Sequence, residues 1–110
     1  MALSHATSGQ VVELRPFGAD LPSHCTSALL KGRQLELIRM VLPAGETAPM
    51  HDVPGEITVS CIEGEVDFQA HGRTQRLRAG ELVWLEGGVA HSLLAVSDAS
   101  LLVTIRLANG

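Results

Sequence analysis

The amino-acid sequence predicts an all-β single-domain barrel or two-sheet jelly roll of about nine strands, and three observations carry that expectation. Short runs rich in β-branched and aliphatic residues recur between Gly, Pro and Asp punctuation. No segment of useful length spaces its apolar residues at helical period. With 110 residues the chain has room for one domain, 1–110, because two cores of half that size would each be marginal.

The runs, in order, are Val11–Arg15, Thr26–Leu30, Gln34–Leu42, Ile57–Ile62, Glu65–His71, Thr74–Arg78, Glu81–Leu85, His91–Val96 and Leu101–Leu107. Glu63-Gly64 and His71-Gly72-Arg73 fall between runs, where glycine supplies the positive φ of a tight hairpin. Pro43-Ala44-Gly45 and Pro54-Gly55 bracket Glu46–Val53, which lacks alternation and reads as a loop crossing a barrel mouth. Residues 1–10 and 108–110 read as loose termini.

Composition narrows the function classes. Hydrophobic residues are 45% of the chain and charged ones 18%, too apolar for disorder, and no apolar run is long enough to cross a bilayer. A soluble protein with no membrane partner is expected. The net charge of -4, with eight Lys and Arg scattered along the chain, provides no basic stripe for a phosphate backbone, so nucleic acid is not an expected partner. The opening MALSHATSGQ has no basic n-region or apolar h-region, which makes a cytoplasmic location the expectation. Cys25 and Cys61 are then read as reduced thiols. Phe17, Phe68 and Trp84 are the whole aromatic complement, too few for a stacking platform. The strands around Leu82-Val83-Trp84-Leu85 and Leu101-Leu102-Val103 are apolar on both faces, and a second copy is the simplest cover, so a homodimer is expected.

Two segments carry chemistry. Gly45-Glu46-Thr47-Ala48-Pro49-Met50-His51 is followed by Pro54-Gly55-Glu56 and a strand ending at Gly64, and Gly80-Glu81-Leu82-Val83-Trp84-Leu85-Glu86-Gly87-Gly88-Val89-Ala90-His91 comes later. In order and spacing they resemble the first and second conserved motifs of the cupin superfamily (RmlC-like), and the resemblance covers roughly residues 35–107. It implies a cupin-type double-stranded β-helix, a jelly-roll barrel with the motif histidines on one inner wall. It also implies where metal ligands stand in metal-binding cupins: two histidines one residue apart, a glutamate on the next strand and the second-motif histidine, here His51, Val53, Ile57 and His91. Val53 and Ile57 cannot ligate, so half of that set is absent.

Glu56, Asp52 and Cys61 are the conceivable replacements: Glu56 is one residue from the lost glutamate position, Asp52 adjoins His51, and Cys61 shares strand parity with Ile57. The expected pocket comprises His51, His91, Met50 and Cys61, and the candidate metal set is His51, His91 and Glu56, holding zinc, nickel or iron weakly if at all. His5, His24 and His71 receive no role, and the sequence names no catalytic residue. Three functions stay open, and whether any reaction is catalysed stays open with them. The leading one is a small cupin holding a small ligand at the barrel mouth around His51 and His91. The second is a metal-dependent enzyme such as a dioxygenase using His51, His91 and Glu56. The third is a structural or interaction module with a filled barrel.

Overall fold

A computed structural model describes residues 5–107. Its nine strands are β1 (Ser27–Lys31), β2 (Leu35–Leu42), β3 (Thr47–His51), β4 (Ile57–Glu63), β5 (Glu65–Ala70), β6 (Arg73–Arg78), β7 (Leu82–Leu85), β8 (His91–Ala95) and β9 (Ala99–Arg106). All pairings are antiparallel, in a five-stranded sheet of order β1-β2-β9-β4-β7 and a four-stranded sheet of order β3-β8-β5-β6. This is the two-sheet jelly roll the sequence predicts.

Alternation builds the core. Ile57, Val59 and Cys61 of β4, Leu101 and Val103 of β9 and Leu42 of β2 point inward from one sheet, and Val66, Phe68, Leu93 and Ala95 meet them from the other in one continuous cluster. Between β4 and β5, Gly64 takes φ 80, and a Cβ there would stand 2.1 Å from the Asp98 carbonyl oxygen, so the hairpin needs glycine on two counts.

Two elements differ from the sequence reading. Val11–Arg15, expected to be a strand, pairs with none, although residues 5–10 are tethered where Ala6 N–H donates to Leu29 O at 2.8 Å. Thr47–His51, expected to be loop, is the edge strand β3. An edge tolerates Pro49 because one side of its ladder needs no donor. Residues 1–4 and 108–110, parts of the expected loose termini, lie outside the described residues.

The chain from Arg15 to His24, including a 3-10 turn at Gly18–Ser23, covers the outer face of the five-stranded sheet. Beneath it the Glu63 carboxylate accepts from Phe17 N–H at 2.9 Å, Gly18 N–H at 3.0 Å and the Ser100 hydroxyl, and pairs with Arg39 at 3.3 Å. Arg39 also donates to the Arg15 carbonyl oxygen at 2.9 Å, and its guanidinium lies 4.0 Å from the centre of the Phe17 ring. Burial pushes the Glu63 carboxyl up, but the hydroxyl, both backbone N–H groups and the guanidinium outweigh it and hold the group below its ordinary value.

Candidate functional site

His51 ends β3 and His91 begins β8, and the two are direct cross-strand partners. What brings their rings together is a bulge. Ala48 pairs with Leu93 and His51 with His91, so three residues of β3 span two of β8. Strict alternation would send Ala48 and His51 to opposite faces; the extra residue returns His51 to the side on which His91 and Leu93 lie. The ring centres are 4.6 Å apart with planes tilted by 51°.

Backbone carbonyls set both tautomers. His51 Nδ1 is 3.1 Å from the Pro49 oxygen and His91 Nδ1 is 2.9 Å from the Val89 oxygen. A carbonyl oxygen can only accept, so each Nδ1 carries hydrogen and Nε2 of each neutral ring presents a lone pair. The environments differ: His91 is 3% exposed and rests on the Phe68 ring at 5.9 Å between centres, nearly parallel, whereas His51 is open to solvent. Gly87 shapes the nearby mouth, since a Cβ there would sit 2.1 Å from the Pro54 oxygen, and the adjoining Gly88 N–H donates to Val53 O at 2.8 Å. The loop before β4 and the loop before β8 are thereby locked backbone to backbone.

Of the other expected site residues, Glu56 and Cys61 lie apart from the histidine pair. Glu56 Oε1 accepts from Trp84 Nε1 at 2.8 Å, and Trp84 stands on the outer face, between inward-facing Val83 and Leu85. Cys61 points inward but sits four residues beyond Ile57, about 13 Å along the strand, where its thiol donates to the carbonyls of Glu63 and Gly64 at 3.4 Å. Burial pushes that thiol up, against the thiolate that ligation or attack requires. Met50 is 53% exposed and lines a shallow surface hollow with Gln69, His71, Val89 and Ala90. Val53 and Ile57 pack against the core.

The donor set does not fit a resident divalent metal. Two imidazoles face each other, the positions that would complete a four-ligand site are apolar, and among the described residues no group of three or more His, Cys, Asp or Glu side chains could hold an ion. Phe68 is the contributor that sequence reasoning overlooked. Its parity with Val66 on β5 is visible in the alternation, but its stacking on His91 depends on a pairing between strands far apart in sequence.

A two-sheet antiparallel barrel with two motif histidines at one end defines a class of small β-barrel proteins, and the sequence match places the chain within it. Residues 38–105 match the Cupin domain family, and the chain belongs to that family. Its fold is shared by a conserved protein of unknown function from Streptococcus pyogenes, SPY1581, at 19% identity and TM-score 0.76, with all of both chains covered. The DMSP lyase DddQ from Ruegeria pomeroyi aligns at 24% identity and TM-score 0.71 over 86% of this chain and 53% of its own. KdgF from Halomonas sp. aligns at 13% identity and TM-score 0.68 over 74% of this chain and 77% of its own. No protein of curated function matches the sequence.

Proposed function

We propose that this cupin holds a small ligand at the barrel mouth through the His51 and His91 imidazoles, without a resident metal. The observation that supports this most is the pair itself: two rings 4.6 Å apart, each with Nδ1 committed to a backbone carbonyl, leaving two Nε2 atoms for a ligand donor or a shared water. The apolar packing deeper in the barrel favours a compact ligand at the mouth over an extended one threaded inward. DddQ is a lyase by its name, so this fold is compatible with catalysis; here the pair lacks the partners for a metal-borne mechanism, and binding is the reading it carries. The chain works as a homodimer through the outer face of β4, β7 and β9, where Leu82 and Trp84 are exposed.

The test is a screen of small carboxylates, alcohols and amines by thermal shift, followed by titration of the histidine ring nitrogens by NMR. A ligand that perturbs Nε2 of both rings, and that His51→Ala and His91→Ala each weaken by about tenfold or more, is expected. Binding that survives both substitutions unchanged overturns the assignment.

A further inference from the structure

The barrel has a second opening, between β6 and β7. β6 and β7 are edge strands of different sheets and share no ladder, so the two sheets part along a seam between them. A cleft of about 350 Å³ lies in that seam, with Phe68, Leu77, Leu82 and Val83 as apolar walls and Gln75 and Glu81 as polar ones. This volume is at the lower end of ordinary small-molecule sites.

The arch that joins the strands is firmly anchored. Cys61 N–H donates to the Glu81 oxygen at 2.8 Å, Gly80 N–H to the Cys61 oxygen at 2.9 Å, and Arg78 N–H to the Glu81 carboxylate at 2.8 Å. The closed end of the cleft is therefore built before anything binds, whereas Leu82 at its lip is 64% exposed in the single chain and also borders the face proposed to meet a second copy. Phe68 serves both openings: one environment of its ring is this cleft and another is His91.

Charge selects the ligand. Arg76, the cation on the cleft wall, is already matched by Asp67 at 2.6 Å and Glu65 at 3.1 Å, while Glu81 has no salt bridge among the described residues. The cleft thus combines a few apolar walls with polar ones, among them a carboxylate that has no salt bridge among the described residues. We propose that the seam between β6 and β7 binds a small amphiphilic amine, a compact aromatic or alicyclic body against Leu82 and Val83, above the buried Phe68 and Leu77, with its ammonium group at Glu81. The site is independent of the reading given to His51 and His91.

The experiment is a titration of the full chain with phenethylamine, followed by methyl and backbone NMR, with phenylacetate as the probe of equal body and opposite charge. Saturable shifts of the Leu77, Leu82 and Val83 methyls and of the Phe68 ring are expected, with phenylacetate about tenfold weaker. Glu81→Gln keeps an oxygen for the Arg78 N–H, so the arch remains closed, and it should remove the preference for the amine. No saturation at millimolar amine, shifts confined to the histidine mouth, equal response to both probes, or a preference that survives Glu81→Gln would each overturn the proposal.

Discussion

At the scale of single residues, the site is defined as much by Val53 and Ile57 as by the histidines. Both pack against the core where the family resemblance would place ligands, so hydrophobic burial stabilises the mouth at the positions a metal would otherwise organise. We expect zinc or nickel to bind the unmodified protein weakly and to leave on a brief EDTA wash, because two neutral imidazoles leave most of the coordination sphere to water. Val53→His with Ile57→Glu should raise affinity by about a hundredfold or more while lowering Tm without metal, since Ile57 is 3% exposed and a carboxylate there is desolvated. Calorimetric titration of both proteins checks this, and tight stoichiometric metal in the unmodified chain would contradict it. Phe68 lends itself to a second measurement. It is 2% exposed and supports His91, so Phe68→Ala should cost about 3–5 kcal/mol in denaturant melts. His51 and His91 were legible from motif position alone. The outward turn of Glu56 follows from the same parity that points Ile57 inward; its partner there, the Trp84 N–H 28 residues away, was not legible.

Elements carry the next set of consequences. The strand limits follow the alternation and glycine punctuation closely where both faces are specified, as in β4 with its inward Ile57, Val59 and Cys61. β3 was illegible because Thr47-Ala48-Pro49-Met50-His51 has neither alternation nor β-branched density; pairing with β8 and a bulge make it a strand. Val11–Arg15 has strand-like composition, but no ladder receives it. The segment from Arg15 to His24 is instead fastened by side chains, and Glu63 is its latch. The folded Glu63 carboxyl lies below its ordinary value of 4.5, so its stabilisation is complete at pH values above that and is lost as pH falls through the depressed folded value. Glu63→Gln should cost about 3 kcal/mol at neutral pH, because it leaves Arg39, with a side chain 4% exposed, without its counter-charge. It should also flatten the acid limb of the stability curve. Urea melts from pH 3 to 7 check both, and an acid limb identical to that of the unmodified protein would show that the latch contributes nothing.

For the whole molecule, the unresolved balance lies on the outer face of the five-stranded sheet. Half of it is covered by the N-terminal segment over Arg39, Glu63 and Ser100. The other half is a grid of uncharged side chains: Trp84, Thr58 and Thr104 form one cross-strand row and Leu82, Ser60 and Leu102 the next. Trp84 is 54% and Leu82 64% exposed, and the charges of Glu56 and Arg106 stand at one rim. Uncharged centre, tryptophan and charged margin are the anatomy of an interface core. A two-fold axis through such a patch would lay it on its own copy, which is the occupant the proposed homodimer assigns to it. A stable pair needs about 1,200 Å² or more of buried surface, which this face and the exposed Leu35 beside it must supply together. Sedimentation as a dimer at micromolar concentration is therefore expected. The double substitution Leu82→Lys with Trp84→Glu should yield a monomer with unchanged circular dichroism, since neither side chain enters the core. A monomer before substitution would remove the dimer and leave Trp84 and Leu82 as solvent-facing apolar area.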